Sequence, residues 1–482
     1  MRRGSILILG ATIVGPNSTA IGDCRIENGV ITEVKYGEEL TAEEGEYVVN
    51  AQGLHLIPGC IDPQVHFREP GHPEKEDLGS GSKAAAAGGI TGFLDMPNNK
   101  PSVTTLSAMQ KKLDSAANTC VTNYGFFIGA TKENLGDLQE AVGTPEAPHA
   151  IPGICGIKIF MGSSTGNLLV DTDEALANIF ANTAGLIAVH AEDEERLNER
   201  WPLFEFRTDI EAHAEWRDDR TALLATQRSV NMAVKYGHRL HILHLTSGLE
   251  STWLKGRTAL PKSGDADDSE STEGEDEGRV SLITTETLPQ HLTFAEEDVH
   301  TEDVRLKMNP PIRSADDRDL LWQGLRDGTI QCIATDHAPH TLESKSLGFP
   351  KAPSGMPGVE TSLAVMLNHV NSGNCSLQDV VNWMSTNVAA CYGMEGKGVI
   401  AEGMDGDVVL VDLSMQIEVK DENSWTRVGW NPFRGRSLSG WPVLTIVAGI
   451  PVFERTDATG PKGRLLVKGG EVGEAIIMSP WK

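Results

Sequence analysis

The feature that most constrains this chain is a long middle region in which apolar, strand-like runs alternate with Ala-rich helical stretches. Eight strand candidates follow one another there, over residues 54–62, 91–96, 123–130, 156–161, 186–190, 239–245, 280–286 and 330–336. Helical candidates such as 80–88, 106–117 and 174–181 lie between them. Alternation of this kind requires a parallel sheet with crossover connections. Eight units over this length predict an α/β fold, a (β/α)8 TIM-like barrel. A doubly wound open sheet is the alternative, but no G-x-G-x-x-G follows a strand to mark a dinucleotide site. The two ends of the chain differ from the middle. Residues 5–54 are short strands with an Asn28-Gly29 hairpin signal, and strand-like runs return at 406–412, 444–452 and 464–468. The ends are therefore expected to pair as one small β-sandwich beside the barrel. The expected division is 1–54 for the first part of the sandwich, 55–395 for the barrel and 396–482 for the second part.

The chain has 482 residues, 39% of them hydrophobic, which is ample for a large core. No run of roughly twenty apolar residues occurs, so no membrane helix is expected. The first residues, Met1-Arg2-Arg3-Gly4, lack the apolar core and cleavage site of a signal peptide. Seven scattered cysteines without a C-x-x-C pair fit a reducing cytoplasm and argue against a cysteine-zinc framework. A formal charge of -27 disfavours nucleic acid and anionic membrane surfaces as partners. It also means that an anionic substrate needs a locally positive pocket. Much of the acidity sits in 262–279, KSGDADDSESTEGEDEGR, which has no apolar residue larger than Ala. Such a stretch is expected to be a disordered surface insertion, a solvated loop rather than a binding tail.

In barrels of this kind, chemistry sits where strands meet the loops that follow them. The first predicted strand runs into Gln64, His66 and Arg68, and the second into Asp95-Met96-Pro97-Asn98. Lys158 lies within the fourth, and His190 ends the fifth. His241 and His244 lie on the sixth, three apart, so only one of them is expected in the site, and the strand end favours His244. Asp336, His337 and His340 follow the eighth. Each has a plain structural explanation on its own: a satisfied core histidine, a snorkelling lysine, an aspartate helix cap. Their joint placement at the ends of different strands is what points to a metal site. Imidazole is the usual ligand for zinc-like metals, and the planar fork of Arg68 suits a carboxylate. A buried Lys158 among metal ligands would be driven toward a neutral, nucleophilic amine. Such an amine can capture carbon dioxide, and the resulting carbamate has two anionic oxygens, enough to bridge two metals.

These residues resemble the amidohydrolase superfamily, and within it the dihydroorotases. The resemblance is carried by 62–71 (DPQVHFREPG), 95–98 (DMPN), 158–167 (KIFMGSSTGN), 190–193 (HAED), 244–247 (HLTS), 307–313 (KMNPPIR), 336–340 (DHAPH) and 352–360 (APSGMPGVE). It implies a metal-dependent cyclic amidase that interconverts L-dihydroorotate and N-carbamoyl-L-aspartate in pyrimidine synthesis. It implies one or two Zn2+ held by His66, Lys158 in N-carboxylated form, His190, His244 and Asp336. Asp336 would also move the proton. Arg68, Asn98, Asn309 and His340 would hold the substrate, with Ser354 and Gly355 adding backbone contacts. The segment 341–356 would serve as a lid. Allantoinases and hydantoinases share the metal residues, but their ring substrates carry no carboxylate for Arg68 and Asn98 to clamp.

Two departures stand out. Gln64 occupies a position where the family has His, which leaves three readings: a weak second metal bound through Gln64, a single metal at His190, His244 and Lys158, or an inactive paralogue. The last would be a structural partner, for instance of a transcarbamoylase. Leu288-Pro289-Gln290-His291 replaces a more usual Cys-Pro-His-His. A homodimer is the expected assembly.

Overall fold

The computed structural model describes residues 4–162, 167–260 and 282–480. The acidic insertion 262–279 and part of the KIFMGSSTGN motif lie outside the described residues. Eight parallel strands form the central sheet: Cys60–Val65, Ile90–Asp95, Asn123–Gly129, Ile154–Phe160, Ile187–His190, Leu240–Ile242, Ile283–Thr287 and Cys332–Ile333. They pair in sequence order, and helices such as Leu78–Ala87, Leu106–Thr119 and Asp173–Asn182 cross between them. This is the expected barrel. Asp77, Thr105 and Thr172 cap those three helices by accepting the backbone N–H of the third helical residue. Among the described residues, no helix is long and apolar enough to cross a membrane.

The two chain ends meet, as expected, in one nine-stranded sheet beside the barrel. His55–Pro58 joins them, parallel to Ser5–Val14 on one side and antiparallel to Val408–Glu418 on the other. The single strand expected over 54–62 is therefore two strands in two sheets. Gly59 is the joint. A Cβ there would lie 2.1 Å from Thr91 Oγ1, and its N–H donates to the Asp407 carbonyl at 2.8 Å. Both sheets bury their strands, so the apolar run continues through the change of partner without a polar break. A further tie runs from the barrel to this sheet, where Asn123 donates to Asp407 Oδ2 at 2.8 Å beside the buried Lys397.

Strands six and eight are shorter than the sequence suggested. The ladder stops at Ile242 and Ile333, and positive φ follows at His244 (40°) and Asp336 (48°). A side-chain-bearing residue in that conformation leaves the strand path. These two strands therefore break just where their functional residues begin.

Closure between strands eight and one is made by a seam of hydrogen bonds. Asp62 accepts from the Thr335 backbone N–H at 3.1 Å, from the Thr335 hydroxyl and from the Gln64 N–H. The His66 N–H donates to the His337 carbonyl at 2.7 Å. Burial pushes the Asp62 carboxyl up to about 7 against these donors. The opposite end of the barrel is filled by Val388, Cys391, Tyr392 and Met394, packed on Leu94, Phe127 and Leu243. Asp62→Ala strands the Thr335 and Gln64 donors in a dry seam. It is expected to lower unfolding stability by about 2–4 kcal/mol, measured as a fall in urea midpoint at unchanged slope.

Candidate active site

A cavity of about 140 Å³ opens at the C-terminal end of the barrel strands. Its walls include Gln64, His66 and Arg68 after strand one, Asn98 after strand two, and Lys158 and Phe160 on strand four. His190 and His244 come from strands five and six, and Asn309 from the loop after strand seven. Asp336, Ala338, His340, Ser354 and Gly355 complete it. Every residue singled out above for metal or substrate thus lines one cavity.

One side of the cavity is built on His190. Its Nε2 lies 2.7 Å from Glu192 Oε2, and Glu192 is gripped by both arms of Arg217 in a fully buried pair. Burial alone would raise the Glu192 carboxyl, but Arg217 and His190 outweigh it and hold it below the usual carboxylate range. An ionised Glu192 accepts the Nε2–H, so the Nδ1 lone pair of His190 faces the cavity. Nδ1 lies 3.0 Å from His244 Nε2. Burial depresses both rings, which keeps them neutral. His241 stays outside the cavity, bonded to Thr284 at 2.7 Å and to Glu286 at 3.1 Å. His244 reaches the cavity through its positive φ rather than through strand alternation.

The other side is built on Asp336. Its Oδ1 lies 2.9 Å from His66 Nε2 and takes a hydrogen bond from Gln64 Nε2 at 3.1 Å. Asn98 Oδ1 lies 2.7 Å from His66 Nδ1 and accepts its N–H. Asn98 therefore orients His66 as well as facing the cavity. Lys158 stands in the same cavity, its Nζ 4.6 Å from the centre of the Phe160 ring. No carboxylate lies within ion-pair distance of it among the described residues. Burial lowers its ammonium to about 7, with Asp336 and Glu286 opposing.

Arg68 has a φ of 61° and is half-buried. Its guanidinium meets His340 Nε2 at 3.1 Å and the Pro339 carbonyl at 3.4 Å. Among the described residues it has no ion-pair partner. Burial lowers it to about 10, far above neutrality, so it remains a cation. Burial and the neighbouring cations Arg68, Lys75 and Lys345 keep the His340 ring neutral.

The 341–356 segment is pinned rather than loose. Lys345 donates to the carbonyls of Lys307, Pro353 and Gly355 at 2.9, 3.1 and 2.9 Å. Lys307 donates to the Ala352 carbonyl at 2.6 Å and to Ser354 Oγ at 3.1 Å. The Gly355 N–H is itself engaged by the Lys307 carbonyl at 2.9 Å. The backbone contact expected from Gly355 is thus internal. Its place in the wall follows from close packing, since a Cβ there would lie 2.5 Å from the Ala338 carbonyl oxygen. Sequence reasoning gave no role to Glu192, Arg217, Lys307 or Lys345. Glu192, two residues past His190, carried a readable signal for a carboxylate-oriented imidazole; Arg217, in a separate segment, carried none.

Four buried polar atoms of the cavity have no partner among the described residues: Gln64 Oε1, His244 Nδ1, Asn309 Oδ1 and His340 Nδ1. Orphaned atoms of this kind call for a ligand. Three imidazoles, one carboxylate and an amine that is readily neutral fit a divalent cation of the zinc class. Among the described residues, no three His, Cys, Asp or Glu side chains converge closely enough to hold an ion by themselves. A complete ligand set on either side therefore calls on Lys158.

The Amidohydrolase family model matches residues 55–452. A dihydroorotase of Halobacterium salinarum is 32% identical over 454 residues, covering 92% of this chain and 98% of that protein. An allantoinase of Streptomyces avermitilis is 33% identical over 474 residues, covering 95% and 98%. Among solved structures, the L-hydantoinase (dihydropyrimidinase) of Arthrobacter aurescens has the same fold, with a TM-score of 0.84 at 24% identity over 98% of this chain and 99% of that one.

Glu192→Gln leaves Arg217 as an uncompensated buried charge. Chemical denaturation should show a loss of about 3–5 kcal/mol, and the double variant Glu192→Gln/Arg217→Met should recover part of it. Because the folded Glu192 carboxyl sits below its unfolded value, the stabilisation is present above the usual carboxylate range. It is lost as pH falls through and below that range.

Proposed function

The chain belongs to the amidohydrolase family, and from that premise we propose that it is a dihydroorotase. The reaction is reversible hydrolysis of L-dihydroorotate to N-carbamoyl-L-aspartate, a step of pyrimidine synthesis. The observation that carries this reading is Arg68, a half-buried guanidinium without a counterion among the described residues, at the edge of a cavity that also holds His190, His244 and Lys158. A ring amide that bears a carboxylate satisfies both ends of that cavity. The curated dihydroorotase relatives support the same reading.

The family is in general metal-dependent. His66, His190, His244, Asp336 and Lys158, the last as a carbamate, would hold one or two ions of the zinc class. When bound, the metal supplies Lewis acidity, which makes water a better nucleophile and a carbonyl a better electrophile. The remaining work falls to the chain. Arg68 pairs with the substrate carboxylate and fixes the ring. Asn309 Oδ1, an open acceptor, takes a ring N–H group, while His340, whose Nε2 accepts from Arg68, offers its Nδ1–H to a substrate oxygen. Asp336, held at Oδ1 by Gln64, receives the proton of the attacking water and passes it to the leaving ring nitrogen. In the cyclising direction the same carboxylate takes it back. All seven cysteines are free thiols, in keeping with a reducing cytoplasm as the place of reaction.

A second reading, a hydrolase of allantoin or hydantoin, is favoured by the allantoinase relative at 33% identity. Measuring kcat/KM for L-dihydroorotate, allantoin, hydantoin and 5,6-dihydrouracil on zinc- and bicarbonate-loaded protein separates the two. Dihydroorotate is expected to lead. Arg68→Ala should lower its kcat/KM by about 100-fold or more, the cost of losing a charge-assisted contact, while barely changing any turnover of dihydrouracil, which lacks the carboxylate. Unchanged dihydroorotate turnover in Arg68→Ala would refute the clamp. Carboxylation of Lys158 is checked by a carbamate signal in carbon NMR after loading with labelled bicarbonate, expected in the native chain and missing in Lys158→Ala.

A further inference from the structure

We propose that Gln64 makes this a one-metal site, with a zinc-class ion at His190, His244 and Lys158, while Gln64 acts as a hydrogen-bond donor that positions Asp336. The proposal rests on reading the cavity as the site of a metal-dependent amidohydrolase.

Gln64 and His66 enter the cavity together from the end of strand one, and Gln64 is only 1% exposed. Its amide has one donor end and one acceptor end. The donor end faces Asp336 Oδ1 at 3.1 Å. The reverse orientation would set a carbonyl oxygen against a carboxylate oxygen, which is repulsive. Nε2, which has no lone pair to offer a cation, therefore occupies the Asp336 side. Asp336 Oδ1 accepts from Gln64 and lies 2.9 Å from His66 Nε2. On this side an ion would find one imidazole and one carboxylate, with an amide N–H turned toward the same oxygen.

The His190–His244 side differs. Two neutral imidazole nitrogens lie 3.0 Å apart, His190 is locked in orientation by Glu192 and Arg217, and among the described residues no donor competes for its Nδ1 except His244. Lys158 is the third ligand that this side needs. A metal on the other side would have to turn Gln64 over, forfeit its bond to Asp336 and accept a neutral amide oxygen where an imidazole binds more strongly. The difference between the two sides is thus built by residue 64, and Asp336 is organised by the Gln64 hydrogen bond in place of a second ion.

The test is a zinc titration of the full chain, stripped with a chelator and reloaded in bicarbonate, with zinc per chain read by elemental analysis. One tightly bound zinc per chain is expected, with any second ion weaker by about 100-fold or more. Gln64→His should take up two zincs. Two zincs of similar affinity in the native chain, or one zinc in Gln64→His, overturns the proposal. Gln64→Met, which keeps the volume and removes the donor, should retain one zinc and show a kcat reduced about 10–100-fold with little change in KM. Loss of the zinc would make Gln64 a ligand, and an unchanged kcat would remove its positioning role; either result refutes that half. The zinc count needs no substrate, so it stands if dihydroorotate proves to be the wrong ring. The kcat comparison uses whichever cyclic amide the native chain turns over.

Discussion

Eight parallel strands make a barrel only if the eighth meets the first, and here that meeting rests on the buried carboxylate of Asp62. Three donors from two strands converge on it: the Thr335 N–H, the Thr335 hydroxyl and the Gln64 N–H. A carboxylate out of water is costly, and burial pushes this one up to about 7. Hydrogen bonds from the seam offset that cost where no cation is available. The consequence reaches the site directly. Gln64 and Asp336 are 272 residues apart in sequence, yet each lies within two residues of a group that bonds to Asp62, and their side chains meet at 3.1 Å.

The same geometry explains why functional residues sit in strained backbone. Arg68, His244 and Asp336 all have positive φ, between 40° and 61°. None is glycine, so each conformation costs on the order of 1–3 kcal/mol and must be held by its surroundings. What it achieves is to turn a side chain out of the strand alternation and into the axis of the barrel. Strand parity already separates His241 from His244 and sets Arg68 on the side of His66; the positive φ values occur where the strand ladders have ended.

How much of this could be read from the sequence follows from which interactions are local. The eight-unit alternation and the histidines, lysine and aspartate at strand ends were legible because they depend on periodicity and on residue type. The split at Gly59 was not, because both sheets bury their strands and the apolar run carries on across the joint. Arg217 escaped notice because its meaning depends on a partner 25 positions earlier, in a different element. Lys345 was likewise opaque: its ammonium is stabilised by backbone carbonyls, and backbone carbonyls leave no trace in residue identity.

That choice of partner for the lysines bears on function. The chain carries a formal charge of -27, a poor background for drawing in an anion. A buried lysine paired with a carboxylate would be stable but electrically silent. Lys307 donates to a carbonyl and a hydroxyl oxygen and Lys345 to three backbone carbonyls, and such dipoles stabilise an ammonium without cancelling its charge. Arg68 is a further cation, with no ion-pair partner among the described residues. Burial comes first in keeping the His340 ring neutral, and the cations Arg68, Lys75 and Lys345 add to it, even though the protein as a whole is acidic. Dipolar partners thus help a strongly negative molecule keep positive charge beside the cavity at the C-terminal end of the barrel.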